Sequence, residues 1–461
     1  MMQDTTTFRP YDPDQQFLFP PAFRDWLPAD HLVFFVMDLV RELDLSEIYR
    51  SYDGSKGGKP PYHPTMMTTL LFYAYCVGTF SSRKIEKACY EQLPYRVLTA
   101  DQHPDHDTIA TFRRRHLKAL SALFVQVLLL CQKAGLVKLG HVSLDGTKVK
   151  ANASKHKAMS YARMEKTAKE LEEEVAQLLS EAQGVDEQED GLYGKGIRGD
   201  ELPEELRFKE SRLRKIREAM KSLEAEAKEK AKQEQEAAKK QAQAQAQKGK
   251  KRRGRKRRKS SGKPEGKAQR NFTDPESRIM KDGATKSFEQ CYNCQAAAVE
   301  SQVIVATGVT QEANDKKQVK PMVEEIKTNL DGRVPKKMTK DSGYFSEDNV
   351  RYLEKEEIDA YVAVGRTKHG DTPPQAPRGR IPQEMTIKER MARKLRTKKG
   401  QGIYKKRKHI IEPVFGQIKE ARGFRRFHLR GLEAVTGEWD LVCLTHNVLK
   451  LFHSGFQLQA A

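Results

Sequence analysis

The chain has 461 residues, too many for one ordinary core, so two or three domains are expected. Lys and Arg number 84 against 63 Asp and Glu, and the net charge of +21 favours a polyanionic partner, nucleic acid first and an anionic membrane surface or ribosomal RNA as rivals. A membrane span and a disulfide scaffold are not expected: the start MMQDTTTFRPYDPDQQ has no apolar core, the longest apolar stretch (119–131) is too short, and six scattered cysteines suit a reducing cytoplasm.

Residues 1–135 read as helical. Asp30 is placed to cap a helix with Leu32, Phe35, Val36, Leu39 and Val40 on one face. After the break GSKGGKPPYHP, an apolar helix runs over 65–77 and Gly78 ends it. The next helix, over 81–92, turns Arg83, Lys84 and Lys87 outward. In HPDHDTIATFRRRHLKAL, Asp107 would cap a helix that groups Arg113, Arg114, Arg115 and Lys118. Short helices ending in a basic one suit a DNA reader of the helix-turn-helix type, and Arg113, Arg114 and Arg115 are its candidate DNA contacts. The alternative is a solvated basic helix on a structural domain. His103 and His106 read as turn polarity beside Asp107, not as a metal site.

HVSLDGTKVKA (141–151) alternates as a strand that ends at Asp145 and turns at Gly146. Residues 155–270 have a different character. Helix formers with apolar periodicity occupy 171–179 and 206–223, 225–247 is nearly all Ala, Glu, Lys and Gln, and KGKKRRGRKRRK (248–259) is almost continuous positive charge. Such sequence buries too little apolar surface to offset ordering entropy. It predicts an exposed helical hairpin followed by a disordered basic arm suited to phosphate contact. A coiled-coil scaffold would account for this segment alone.

Globular patterning resumes near Phe272. CYNCQAAAVES and QVIVATGVT read as two strands joined at Ser301-Gln302. A helix over 318–330 takes Pro321 in its first turn. KKMTKDSGYF holds a short strand leading to Asp341, and Ser346 caps the next helix, with Glu347 and Asp348 in its first turn. IDAYVAV is a buried strand. A loop rich in Gly, Pro and Arg (365–380), basic helical sequence to Lys419 and a helix from about 432 to 451 complete the chain. The order describes a mixed α/β domain interrupted once, with divisions at 1–135, 136–154, 155–270 and 271–461. Cys291 and Cys294 form a lone C-x-x-C with no second ligand pair, so zinc is not expected, and Cys76, Cys89, Cys131 and Cys443 read as buried thiols.

Phosphodiester chemistry is served by two Mg²⁺ ions about 4 Å apart, which carboxylates converging from rigid elements can hold. Asp145 and Asp341 each follow a strand-like run and precede a glycine turn, a common site position and also a common turn-forming one. Glu412, helical and in a basic setting, is the third candidate. Asp274 in FTDPES is read as a turn former, Asp315 as the cap of the following helix, and His446-Asn447 as helix surface.

The string YKKRKHIIEPVFGQIKEARGFRRFHLRG resembles the C-terminal signature of bacterial insertion-sequence transposases of the DDE class, which have an RNase H-like catalytic domain and a Tyr-Arg-Glu-Lys motif. LDGTKVKANAS resembles their first-acid segment and KDSGYFSEDN their second; NFTDPESRIMK also fits, and YHPTMMTTLLFYAYCVGTFSSRKIEKACYE is similar to the helical domain ahead of catalysis. The resemblance covers nearly the whole chain except 155–265. It implies an RNase H-like mixed sheet flanked by helices, preceded by an all-α N-terminal DNA-binding domain. It further implies that Asp145, Asp341 and Glu412 are catalytic ligands of Mg²⁺, with Mn²⁺ able to substitute, and that Tyr404, Arg407 and Lys419 hold element-end DNA.

Glu412 and Lys419 are seven apart and share a face on a continuous helix. Four residues separate Arg407 from Glu412 where the family pattern has three, so Lys408 holds the family spacing and both remain DNA-binding candidates. Pro413 must fall in a first turn or a kink. The implied activity is Mg²⁺-dependent cleavage of double-stranded DNA at element ends and strand transfer into target DNA. A homodimer would hold both ends in a synaptic complex in the bacterial cytoplasm, at the nucleoid. A nuclease without strand transfer and an inactive DNA-binding relative are the alternatives.

Overall fold

Among the described residues, short amphipathic runs punctuated by Gly and Pro build the first part of the chain as seven α-helices: α1 (Leu32–Glu42), α2 (Ser46–Arg50), α3 (Pro64–Cys76), α4 (Ser82–Glu91), α5 (Leu93–Thr99), α6 (His106–Arg115) and α7 (Leu117–Lys133). The computed structural model describes residues 22–52, 60–193, 204–247, 262–281, 287–365 and 384–458, with isolated positions between 376 and 382. Two caps differ from expectation. His31 caps α1 by accepting the Val33 N–H, one residue after the expected Asp30, and Asp105 caps α6 by accepting that of Thr108, two residues before the expected Asp107. Gly78 ends α3 at φ +80°, and a Cβ there would meet the Arg422 carbonyl oxygen at 2.5 Å, so close packing as well as backbone freedom requires glycine.

The strands follow as β1 (Val142–Lys150) and β2 (Ala158–Ser160). Then come the long helices α8 (Tyr161–Tyr193) and α9 (Glu204–Gln247). After them lie β3 (Gln269–Asn271), β4 (Arg278–Lys281), β5 (Phe288–Val299), β6 (Ile304–Thr310), α10 (Val319–Asn329), β7 (Lys337–Lys340), α11 (Glu347–Lys355) and β8 (Asp359–Val362). Four helices close the chain: α12 (Ile387–Arg396), α13 (Lys398–Ile410), α14 (Glu412–Gly416) and α15 (Leu432–His453). Pro321 lies in the first turn of α10, and Ser346 caps α11 through the Asn349 N–H, as the sequence predicts.

One mixed sheet collects strands from both sides of the insertion, in the order β4-β5-β1-β7-β8, with β6 also paired to β5. β5 is antiparallel to β1, and β7 and β8 are parallel to it. β4 lines the first half of β5 and β6 the second. The sequence reading missed β4. It also ended the first strand at Asp145, whereas β1 runs through Asp145 and Gly146 without a turn, paired with Ala296 and Gln295. Tertiary pairing thus overrides the local turn preference of Asp-Gly.

The helices cover the sheet. The Trp439 indole on α15 donates to the Gln295 carbonyl at 3.0 Å, and α10 packs against β6 and β5. α15 also packs against α1, α3 and α7, so the N-terminal helices and the sheet share one continuous hydrophobic core. His446 and Asn447 lie in this interface, not on the helix surface. Asn447 accepts the Ile304 N–H and donates to its carbonyl, both at 2.8 Å, as a strand neighbour would, and His446 meets the Gln302 carbonyl at 2.9 Å.

The insertion forms the expected hairpin. Met164, Ala168 and Leu171 of α8 pack against Leu213, Ile216, Ala219 and Leu223 of α9 in a small separate core. The short β2–β3 ladder joins its base. The basic run 248–259 and most of the 365–380 loop lie outside the described residues. All six cysteines are buried free thiols. Cys291 and Cys294 are three apart on an extended strand, so they face opposite sides and cannot clasp one ion.

Candidate active site

Asp145 and Asp341 come together because β1 and β7 run parallel and in register. Their last paired residues are Leu144 and Lys340, and the next residue on each chain is the acid. β7 stops there. Asp341 caps the 3₁₀ turn Ser342–Tyr344, its Oδ1 accepting the Gly343 N–H at 2.9 Å. Asp145 stays in its strand and accepts the Gly146 N–H at 2.9 Å.

The third acid arrives from the helical arm. Glu412 opens α14, and Pro413 falls in its first turn, where the absent N–H has no helical partner to lose. Arg407, near the end of α13, joins two of the acids. Its Nη1 donates to Asp145 Oδ2 at 2.7 Å and its Nη2 to Glu412 Oε1 at 2.9 Å. A planar fork of donors matches two carboxylates in this way, as a lysine ammonium would not. Lys408 is exposed, so Arg407 is the residue that lies between the acids. Beyond Gly416 the helix widens into a π turn, Gln417–Ala421, and uniform α-helical spacing between Glu412 and Lys419 does not hold. The Lys419 ammonium donates to the Lys148 carbonyl of β1 at 2.7 Å.

Burial sets the electrostatics. It pushes the Asp145 carboxyl up to about 6, against the pull of Arg407 and the Gly146 N–H, and the nearby Asp341 charge adds to the rise. The Asp341 carboxyl is also raised by burial, then by Asp315, with the Gly343 N–H and Arg407 opposing. Burial works against the Arg407 charge, but Asp145, Tyr404 and Glu412 outweigh it and hold the guanidinium above its ordinary value. Tyr404 lies beside Arg407, its phenol raised by burial.

Asp315 belongs to this site, and the sequence reading assigned it elsewhere. It precedes a 3₁₀ turn but makes no side-chain cap bond. Its Oδ1 accepts from Asn293 Nδ2 at 2.7 Å and from Gln295 Nε2 at 2.9 Å, with Lys148 Nζ at 3.8 Å. A Cβ added at Gly343 would lie 3.1 Å from Asp341 Oδ1 and 3.3 Å from Asp315 Oδ2, so the two carboxylates border one glycine. Gly146 is confined in the same way: a Cβ there would meet the Gln295 amide first, then Asp315 Oδ1 at 2.9 Å. The available signal was Asn293 and Gln295 themselves, amides within the buried stretch of β5, where burial demands partners.

Other candidates fall elsewhere. Arg113 is only 4% exposed; its guanidinium donates to the Tyr75 hydroxyl at 3.0 Å and the Phe80 carbonyl at 2.9 Å, so it faces the core and not a DNA surface. The Tyr75 hydroxyl in turn donates to buried Glu438 on α15 at 3.4 Å. Arg114 is exposed, and exposed Arg115 lies over the Tyr52 ring at 5.1 Å. Asp274 is buried and more than a turn former. It accepts from the Tyr292 hydroxyl at 2.8 Å and the Gly431 N–H at 3.3 Å.

Among the described residues, no group of three or more His, Cys, Asp or Glu side chains is gathered closely enough to hold a metal ion. No helix among them is long and apolar enough to cross a membrane. A transposase domain (DUF772) matches residues 21–115, which take in α1 to α6, and a transposase DDE domain matches residues 375–452, which include Tyr404, Arg407, Glu412 and Lys419. No curated protein and no solved structure matches the chain. The two transposase domains, carried in this order, support an insertion-sequence transposase of the DDE class.

Proposed function

We propose that the chain is a metal-dependent DNA strand transferase, which cuts DNA at element ends and joins the freed ends to target DNA. The observation that carries this is the Arg407 guanidinium held between Asp145 of β1 and Glu412 of α14, with Asp341 at the end of the neighbouring parallel strand. Two carboxylates that already face one positive centre suit a site that takes a divalent cation. Asp145, Asp341 and Glu412 offer hard oxygen donors of the kind Mg²⁺ takes, Mn²⁺ substituting, and would hold it. When bound, the metal supplies charge neutralisation for in-line displacement at phosphorus.

The protein's own residues do the rest. Arg407 carries a fixed charge and a donor fork that can turn to a phosphate, Tyr404 packs beside it, and Lys419 approaches β1 from the same helical arm. Arg114, Arg115 and the basic run 248–259 are proposed to contact DNA backbone, and Arg113 is withdrawn from that set. The strand order, with an antiparallel neighbour on one side of β1 and parallel ones on the other, supports the RNase H-like reading and the catalytic divisions at 136–154 and 271–461. The partner is double-stranded DNA, both ends and target, held by a homodimer in a synaptic complex.

The test uses purified protein with element-end DNA and Mg²⁺. Wild type is expected to nick the end and to yield joined target product. Asp145→Asn, Asp341→Asn and Glu412→Gln are expected to lose both products and keep DNA binding. Nicking without joined product favours a nuclease, and full activity in any variant removes that acid from the site.

A further inference from the structure

Asp315 stands in the loop between β6 and α10, where three parts of the site meet. Lys148 and Gly146 approach from β1, Asn293 and Gln295 from β5, and Gly343 from the turn after β7. Gly146 and Lys148 are the cross-strand partners of Gln295 and Asn293, so these four share one face of the sheet. With its Nε2 donating to Asp315, Gln295 turns its Oε1 to the Tyr344 hydroxyl, which donates to it. A chain of hydrogen bonds therefore runs from Asp315 through Gln295 to Tyr344. Tyr344 ends the turn whose Gly343 N–H holds Asp341. Gln295 and Tyr344 are wholly buried. Without an acceptor at position 315, Asn293 would keep only the Glu312 carbonyl at 3.0 Å and Gln295 only Asn293 Oδ1 at 3.1 Å as acceptors, and the link to Tyr344 would lose its anchor.

We propose that Asp315 is a positioning residue: it sets the Asp341 turn against β1 and so keeps the second acid in register with the first. It acts through Gln295 and Tyr344 and takes no part in the chemistry. The kinetic consequence rests on the strand-transferase reading; the structural consequence does not. Asparagine at 315 keeps an acceptor oxygen for both amides, and alanine keeps none.

The test measures amide hydrogen exchange over 338–346 in the full-length protein. Asp315→Ala is expected to speed exchange of the Gly343 region by about tenfold, and Asp315→Asn to stay within about twofold of wild type. Gln295→Met cuts the same link from its other end and should reproduce the alanine pattern, which keeps the test open if the alanine variant folds poorly. In the end-cleavage assay, Asp315→Ala should lower kcat about tenfold with KM for DNA unchanged, and asparagine should restore most of the rate. Unchanged exchange in Asp315→Ala or Gln295→Met overturns the proposal whether or not the protein cleaves DNA. Equal damage by asparagine and alanine overturns it as well, since charge and not acceptance would then matter. If wild type fails to cleave, the strand-transferase reading falls, and the exchange result still decides the role of Asp315.

Discussion

The sheet body and the α8–α9 hairpin are held together in different ways. The sheet body spends its apolar residues on one continuous core that runs from α1 to α15 and brings distant segments into contact. The hairpin closes on seven buried side chains and is dressed with exposed ion pairs such as Arg217–Glu172 at 2.8 Å. Such pairs contribute about 0–1 kcal/mol each, so the hairpin rests on local packing that its own helices supply. The lesson is where a site can be built. Acids 196 positions apart in the chain stand at neighbouring strand positions only where a continuous core locks two strands in register. A two-helix element offers no comparable convergence.

Four measurements would break or sharpen this contrast. The largest effect is expected from the acids: Asp145→Asn or Glu412→Gln should slow end cleavage on the order of 10³-fold, several kcal/mol of lost charge stabilisation, with DNA affinity little changed. Glu172→Gln in the hairpin should leave the rate as it is, and a comparable loss there would erase the distinction. Arg113→Ala comes next. It removes the positive charge facing buried Glu438, which keeps the His428 and Leu429 N–H groups, and the donor to the Tyr75 hydroxyl and the Phe80 carbonyl, and should cost about 3 kcal/mol in urea unfolding. A cost near zero would mean that the N-terminal helices and the sheet do not share their stability.

The third measurement is a pH profile of stability. Asp440 lies between α7 and β6, where it accepts from the hydroxyls of Ser121 and Thr307, and burial pushes its carboxyl up to about 6 from 3.8. The folded state therefore binds this proton more tightly than the unfolded chain does. Its contribution is greatest below about pH 4 and falls by on the order of 2 kcal/mol as pH rises through about 6. Asp440→Asn should flatten that window in thermal melts, and an unaltered slope would refute the assignment. The smallest effect belongs to the hairpin: Ile216→Ala should cost about 1–2 kcal/mol, read as faster exchange confined to α8 and α9. A drop in the main unfolding transition would show that the hairpin is not a separate unit.

Several of these residues were readable in the chain and several were not. Asp341 was placed at a strand end because a short strand and a capped helix flank it, both local patterns. Asp145 was found as an acid but put at a turn, since Asp-Gly favours turns until β5 pairs with both residues. Spacing left Arg407 and Lys408 equal; the break between α13 and α14 turns Arg407 toward Asp145. Asp315 looked like a helix cap because its real partners, Asn293 and Gln295, lie about twenty residues earlier on another strand. Arg113 looked like its basic neighbours, and only the packing of α6 against Tyr75, the Phe80 carbonyl and Glu438 behind them made it a core residue.

By itself the sequence indicated most of the helices and the longer strands, the charged interruption, the basic balance and the candidate acids, because periodicity, capping and composition act over a few residues. The tertiary structure alone decided which acids stand at the ends of neighbouring strands, which arginine links two of them, which arginine is buried and what Asp315 holds. Those outcomes depend on contacts between segments far apart in the chain, and such contacts exist only once a common core fixes strand register and helix placement.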